Sequence, residues 1–552
     1  MCGIFSLFNN NIFTKAEVLL SFNKGKARGP ETSNVVDFDV EKLFIGFHRL
    51  AINGLDENSN QPICINNTYL ICNGEIYNNK QLCNELKIDS QTHSDCEIIL
   101  HLYFRYGISD TLILLDGVFA FVLLDMNISK AFIARDPMGV RSLYQYTGSG
   151  KNPIHLFSSE MKSIYDLFAI LREIQDNKAC DIQSNEDGEY KINHFLPGTY
   201  SVLNTQTHEL VIKNKPYFLL PAPLNIAFYG HIEVYLTLRD LFISAVQKRV
   251  DTTERPVAAL LSGGLDSSLV ASLASRNLLH KHNTNLETYS IGLADSEDIQ
   301  NARIVAQFLN TKHHEIIVTE DDFFAAIPEV IYHIESYDTT TVRASIGNYL
   351  VAKYIAKHSN AKVILNGDGS DELFGGYLYM QMCPDSFEFE RETRRLLQDI
   401  YMFDILRSDK CISSNGLEPR TPFLDKSLVE FYMSLPREMK YAFHQKGGKH
   451  CIRQAFADLS PAVLPREILW RRKEAFSDGV SSLKKSLFTI LQDKIKISGL
   501  VSDNLYGVEL EKAYYKQVFY KYYDKSNNVL PYYWMPKYSN TNDPSARTIE
   551  NY

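Results

Sequence analysis

The 552-residue sequence contains no run that reads as a membrane span. Its most apolar stretch, Thr111 to Leu124, is interrupted by Asp116-Gly117 and is shorter than the ~20 residues a spanning helix needs. Its alternation predicts two strands joined in a hairpin at Asp116-Gly117. Basic excess is also missing. Lys and Arg total 57 against 66 Asp and Glu, a formal charge of −9, which excludes general nucleic-acid binding on a basic face. The nine cysteines include no CxxC pair and no paired spacing, so neither a zinc site nor a disulfide framework is indicated. The opening MCGIFSLFNNN lacks the basic start of a secretory signal. Together these absences predict a soluble protein of a reducing cytoplasm, with no membrane and no nucleic acid among its partners. Hydrophobic content of 45% and charged content of 22% fit a globular protein, and the length exceeds one core, so two or three domains are expected.

The most informative stretch that is present runs from Pro256 to Arg276, PVAALLSGGLDSSLVASLASR. Pro256 to Leu261 is a short apolar run that suits a buried strand. Ser262, Gly263 and Gly264 supply a turn that tolerates positive φ. From Leu265 the apolar residues Leu269, Val270 and Leu273 follow helical spacing. A strand, a Gly-rich turn and a helix start form an anion cradle, because the first helical N–H groups have no internal partner. Asp266 suits such a cradle when Mg²⁺ bridges it to phosphates. The GxxxxGK[ST] pattern is absent, so this is a pyrophosphate loop of another kind. A bare βα turn is the competing reading. The full SGGLDSS string resembles the signature of the ATP-pyrophosphatase family, whose members adenylylate a substrate and release pyrophosphate. Leu260, Ser262, Gly263, Gly264, Asp266, Ser267 and Ile291 are the nucleotide contacts that the resemblance implies.

The chain begins Met1-Cys2-Gly3. Once Met1 is removed, the Cys2 α-amine lies beside its own thiol and can accept the thiol proton. Any protein can carry Cys second, so this start gains weight only from an ordered series of motifs downstream. Lys26-Ala27-Arg28-Gly29-Pro30-Glu31, Gly46-Phe47-His48-Arg49-Leu50-Ala51-Ile52, Cys72-Asn73-Gly74-Glu75-Ile76-Tyr77-Asn78, Ser94-Asp95-Cys96-Glu97 and Ala134-Arg135-Asp136-Pro137-Met138-Gly139 arrive in sequence. Together they resemble the class II glutamine amidotransferase domain, an N-terminal-nucleophile hydrolase with sandwiched antiparallel sheets and outer helices. The resemblance implies Cys2 as nucleophile, with the Asn73 amide and the Gly74 N–H as oxyanion donors. It implies a glutamine pocket of Arg49, Leu50, Ile52, Asn73, Gly74, Glu75 and Asp95, with Arg49 on the α-carboxylate and Asp95 on the α-ammonium. One departure is Ala27, where the family has His. Residues 142 to 200 are expected to add strands, with Asp176 to Lys191 as a surface loop and Lys215 to Gly230 as a linker.

In the second half, strand-like runs at Leu286–Leu293, Glu315–Thr319 and Lys362–Leu365 alternate with helical patterns such as Ser296–Leu309, after a helix from about Ile232 to Arg249. The alternation predicts a doubly wound parallel sheet with ligand at the carboxyl ends of its strands. Glu335 to Ser345 and Asn366-Gly367-Asp368-Gly369-Ser370-Asp371-Glu372-Leu373-Phe374-Gly375-Gly376-Tyr377 resemble segments of asparagine synthetases. The resemblance implies Thr340 and Arg343 as contacts of aspartate and its acyl intermediate, and Asn366 and Gly367 at the nucleotide. It implies Asp371 beside Asp266 on Mg²⁺, Lys473 balancing phosphate charge, and Asp425 and Lys449 as support. Asn366 and Asp368 stand where the family has Ser and Glu. That Glu guides the attack of ammonia, so the shorter Asp368 withdraws the carboxylate by about an ångström or more and weakens the reaction without abolishing it, a misplacement that can cost ~100-fold.

The expected architecture is thus an α+β N-terminal-nucleophile sandwich over residues 2–210, an α/β ATP-pyrophosphatase domain over 230–535, and a mobile tail over 536–552. The resemblance implies a ligase that takes glutamine, aspartate and ATP with Mg²⁺ and passes ammonia between two sites through an internal passage; a homodimer is one open oligomeric state, which the sequence does not reveal. An amidotransferase or β-lactam-forming ligase acting on another acid, and a silent homologue used for binding, remain the alternatives.

Overall fold

The computed structural model describes residues 1–148, 152–178, 191–224, 230–474, 476–481, 485–501, 504–523 and 529–549. The chain divides into two compact units. One is Met1–Leu219 with the short pieces Ser413–Gly416 and Tyr523–Val529; the other is Leu220–Ile412, Leu417–Tyr522 and Leu530–Tyr552. Among the described residues no helix is long and apolar enough to cross a membrane.

The first unit is a sandwich of two six-stranded sheets whose strand pairs are all antiparallel. In one sheet Gly3–Phe8 lies between Leu43–Arg49 and His155–Ser158; in the other, Gly117–Asp125 lies between Thr68–Ile76 and Lys130–Arg135. The period of two decides which side chain enters which layer. Phe119, Phe121 and Leu123 point to the core shared with the Ile98–Leu114 helix, while Ala120, Val122 and Leu124 join Ile4, Phe8, Ile45 and Phe47 between the sheets. Each such fully buried aliphatic or aromatic side chain contributes about 1.5–3 kcal/mol. On the far side of the first sheet, Phe22 of the Lys15–Asn23 helix packs edge-on against Phe5 and Phe44.

Two local expectations fail here. The hairpin at Asp116-Gly117 is not formed, because Thr111 to Leu114 is the last turn of the Ile98–Leu114 helix and only Gly117 onward is strand. Thr111 and Leu112 are buried on that helix, and Asp116 ends up accepting a bond from Tyr77 N–H. Alternation over a few residues cannot distinguish the end of one helix from a strand. The helix Lys162–Lys178 occupies a region read only as strands and loop; residues 179–190 of that expected loop lie outside the described residues.

The second unit is built on a five-stranded sheet in the order Lys312–Ile317, Glu287–Gly292, Val257–Leu260, Val363–Leu365, Glu418–Arg420, with every pair parallel. The chain leaves the central Val257–Leu260 strand toward one edge, then crosses back to Val363–Leu365 on its other side. That reversal opens a crevice at the carboxyl ends of the central strands. The helices expected near Ile232–Arg249 and Ser296–Leu309 run His231–Asp251 and Glu297–Leu309, the latter capped by Ser296.

The His231–Asp251 helix is fastened to the sheet by charge. Asp425, 1% exposed, lies 2.7 Å from Lys248 and 2.8 Å from Arg249. Burial works against its charge, but Arg249 and Lys248 outweigh burial and hold the carboxyl below its ordinary pKa. A depressed carboxyl stabilises the fold above its unfolded pKa of about 3.9 and loses that contribution as pH falls through the folded value. Asp425→Ala is expected to lower the unfolding free energy of this unit by about 3–5 kcal/mol at neutral pH. Urea denaturation at pH 7 and pH 4 checks this, and the deficit should shrink at the lower pH.

Candidate functional site

In the first unit the strand register carries Cys2 to the loop after Arg49. Gly3 pairs with His48, and Cys2 Sγ donates to Leu50 O at 3.5 Å. Gly29 lets the preceding turn press against the same strand, where a Cβ would stand 2.3 Å from the His48 carbonyl. Arg28 donates to Cys2 O at 2.9 Å and pairs with buried Glu160 at 2.7 Å. The Ala27 departure therefore sits beside a turn that Gly29 and Arg28 hold in place.

Ser159 links the strand that follows Cys2 to Asn73. Its hydroxyl accepts from Ile4 N–H at 3.1 Å and from Asn73 Nδ2 at 3.4 Å, while Asn73 Oδ1 is buried without a partner. A Cβ on Gly74 would meet Val118 O at 2.4 Å, so a larger residue is excluded. Asp95 accepts from Ile76 N–H at 2.7 Å, which brings it beside the Asn73–Glu75 segment, and Glu75 accepts from Asn53 at 2.7 Å. Leu50 and Ile52 are buried near Arg49. Arg49 itself donates to the carbonyls of Asp56 (2.9 Å), Asn53 (3.4 Å) and Gly54 and to Asn60 Oδ1 (2.7 Å). It thus shapes the 53–60 loop through neutral oxygens and is only 6% exposed.

In the second unit two strand-end loops meet over one cavity of about 200 Å³. Leu260, Ser262, Gly264, Asp266, Ser267 and Ile291 line it from the first two strands. Thr340, Asn366, Gly367, Asp368, Asp371 and Lys473 line it from the remaining elements. Gly263 does not; its φ of +71° turns the loop and its Cα packs where a Cβ would lie 2.4 Å from Ala302 N. Ser262 and Ser267 hydroxyls bond at 3.0 Å and brace the turn before the Leu265–His282 helix. The second loop is pressed onto the first: a Cβ on Gly367 would stand 2.8 Å from Ser267 N, and Ser370 donates to Asp266 at 2.8 Å.

Charge closes this contact. Lys449 lies 2.6 Å from both Asp266 and Asp371, and Lys473 lies 2.6 Å from Asp371. Burial opposes ionisation of Asp371, but Lys449 and Lys473 outweigh it and hold the carboxyl well below its usual range. Asp368 moves the other way, raised by burial against the pull of Arg407. The two departures are joined in space: Asn366 Oδ1 accepts from Asp368 N–H at 3.3 Å while its Nδ2 donates to Ser408 at 2.6 Å.

Arg343 is not at the cavity. Both edges of its guanidinium are taken, by Glu511 at 2.5 and 2.8 Å and by Asp543 at 2.7 and 2.8 Å. The cavity instead carries Arg407, Asp404, Glu372 and Tyr377, which sequence reasoning did not assign. Glu372 and Tyr377 lay inside the quoted loop; Asp404 and Arg407 lie on an unremarkable amphipathic helix, Asp404–Ser413, and gave no signal. The segment from Pro536, expected to be mobile, is tied down where described. Asp543 holds Arg343, Ser545 donates to Asp478 at 3.0 Å, and Arg547 reaches Glu474 at 2.9 Å, directly after Lys473. Polar tails read as mobile when their partners lie far off in sequence.

The comparisons with known proteins cover the whole chain. A family model described as asparagine synthase matches residues 237–388 and 381–530, and one described as glutamine amidotransferase domain matches residues 1–218. The chain is 39% identical over 584 residues to the asparagine synthetase (glutamine-hydrolyzing) of Cricetulus griseus, 40% over 587 to that of Gallus gallus and 38% over 584 to that of Homo sapiens. Each alignment spans 100% of this chain and 99% of the relative.

One carboxyl at the cavity titrates near neutrality. Burial pushes Asp298 up to about 7, against the pull of Arg471, whose guanidinium stands 3.5 Å away. A carboxyl raised on folding supports the native state below its unfolded pKa and withdraws that support as pH rises through the folded value. Asp298→Asn is expected to gain stability relative to the parent as pH rises from 6 to 8, by about 1.4 kcal/mol per pH unit at most. Paired urea titrations across that range check it; a pH-independent difference would refute the assignment.

Proposed function

Because the chain belongs to the family of glutamine-hydrolysing asparagine synthetases, we propose that it makes L-asparagine from L-aspartate, glutamine and ATP, giving glutamate, AMP and pyrophosphate. The observation that carries this reading is the convergence of two acidic strand-end loops on a shared lysine, Asp266 and Asp371 on Lys449, in a chain whose Cys2 leads into a strand that Ser159 links to the buried Asn73 amide.

At the first site the Cys2 thiolate, its proton taken by the amine freed when Met1 is removed, attacks the glutamine carboxamide. The carbon–nitrogen bond breaks, ammonia leaves, and water hydrolyses the thioester. Asn73 Nδ2 and Gly74 N–H stabilise the oxyanion; the long 3.4 Å bond from Asn73 to Ser159 is weak enough to be exchanged for it. Arg49, buried among neutral oxygens, gains a countercharge when it takes the substrate carboxylate. Asp95 and Glu75 complete the glutamine pocket.

At the second site the cradle from Ser262 to Ser267 takes the ATP phosphates, and the aspartate β-carboxylate attacks the α-phosphorus to form β-aspartyl-AMP. Ammonia then displaces AMP. Among the described residues no three His, Cys, Asp or Glu side chains group to hold a metal alone. Two carboxylates are nonetheless the usual protein contribution to Mg²⁺ bound with substrate phosphates, so Asp266 and Asp371 fit it. Mg²⁺ would neutralise phosphate charge there. Lys449 and Lys473, released from the two aspartates, would face the departing pyrophosphate. Asp368, made more basic by burial, takes a proton from the attacking ammonia. Passage of ammonia from the first site to the second keeps it unprotonated and nucleophilic.

Amide-¹⁵N-glutamine with aspartate and Mg-ATP is expected to give ¹⁵N-asparagine and AMP by mass spectrometry. Cys2→Ala should lose the glutamine route and keep the ammonium-dependent one; labelled product from that variant would overturn the assignment of the nucleophile. Asp368→Glu is expected to raise the ammonium-dependent rate by up to ~100-fold, and an unchanged rate would refute the argument from side-chain reach.

A further inference from the structure

Asn366 stands where the family has Ser, and Asp368 where it has Glu, on the same strand-end loop. A carboxylate one methylene short serves the same step only if its backbone and its oxygens are held in place. Asn366 supplies such a hold. Its N–H donates to Arg420 O at 3.1 Å, which ties it to the neighbouring strand, and its side chain is buried. An amide side chain offers both an acceptor and donors, and Asn366 uses both. Oδ1 accepts from the Asp368 N–H at 3.3 Å, and Nδ2 donates to the Ser408 hydroxyl at 2.6 Å.

Ser408 lies on the Asp404–Ser413 helix, 1% exposed, directly after Arg407. A serine hydroxyl has a single proton. Asn366 Nδ2 donates into its oxygen, so the proton is turned to another acceptor, and the Asp368 carboxyl is the one it bonds. Arg407 Nη2 reaches the same carboxyl at 3.3 Å from the same helix. Burial raises Asp368, while Arg407 and then Ser408 pull it back toward its charged form. A serine at 366 ends one atom nearer the backbone and has no amide to span from the Asp368 N–H to Ser408. We propose that Asn366 and Ser408 are positioning residues for the ammonia step, a hydrogen-bonded brace that aims the Asp368 carboxylate at the attacking nitrogen. This rests on the synthetase reading above and adds the means by which the shorter acid is put to use. In that step nitrogen bonds to the β-carbonyl carbon and the C–O bond to AMP breaks, its electron pair leaving with AMP. The surplus proton on nitrogen passes to Asp368. The brace acts on that transfer; the earlier attack of aspartate on ATP does not use it.

The test follows two steps in the full-length enzyme: aspartate-dependent exchange of labelled pyrophosphate into ATP, and asparagine formed with ammonium as nitrogen source. In Ser408→Ala asparagine formation is expected to fall ~10–100-fold while exchange stays within about threefold of the parent. Asn366→Ser should lose a like factor in asparagine formation. The double variant should be no worse than either, because the same brace is broken in all three. In an Asp368→Glu background, where the carboxylate extends past the brace, Ser408→Ala should cost less than about threefold. An unchanged asparagine rate, losses that multiply in the double variant, or equal loss of both steps in variants of parental urea midpoint overturns the proposal. Absence of aspartate-dependent exchange in the parent would instead overturn the synthetase reading.

Discussion

The second unit depends on one electrostatic constraint: two carboxylates, Asp266 and Asp371, brought together at the ends of adjacent parallel strands in a site that is mostly buried. Like charges there repel strongly, because little water remains to screen them. Lys449 between them and Lys473 beside Asp371 make the approach possible. Glycine makes it geometrically possible. At Gly376 a Cβ would fall 2.0 Å from Lys449 Cε, and at Gly367 it would strike the backbone of the first loop. Lys449 and Lys473 thus hold the two acidic loops together at the strand ends.

A second buried network reaches that site from far along the chain. Arg343 joins Glu511 and Asp543, and the residues after Asp543 grip Asp478 and Glu474, immediately beyond Lys473. The closing segment therefore positions the loop that carries Lys473. Acids and arginines buried together in this way satisfy one another, and removing one partner strands the rest.

The first unit works by hydrogen bonds more than by ion pairs. The Ser159 hydroxyl connects the strand behind Cys2 to Asn73, and Arg49 gathers the 53–60 loop through carbonyl oxygens. Donors fixed in this way need little reorganisation when charge develops on a substrate. His48 illustrates the same economy: stacked on Phe22 and bonded to Phe22 O, it is pushed by burial down to about 4 and stays neutral.

The order of motifs made the two-unit plan legible, and strand–turn–helix patterning at Pro256–Arg276 foretold the central strand and its cradle within a residue or two. Those features are local: glycine where a turn demands it, alternation where a strand is buried, capping residues where a helix begins. What only the tertiary structure decided is non-local. Thr111–Leu114 became helix because a core was waiting on its inner face. Arg343 was drawn away to carboxylates 168 and 200 residues distant, the tail was pinned, and Arg407 was left facing the cavity. Sequence names the charged groups, but which ones neutralise each other depends on distances that exist only after the chain has folded.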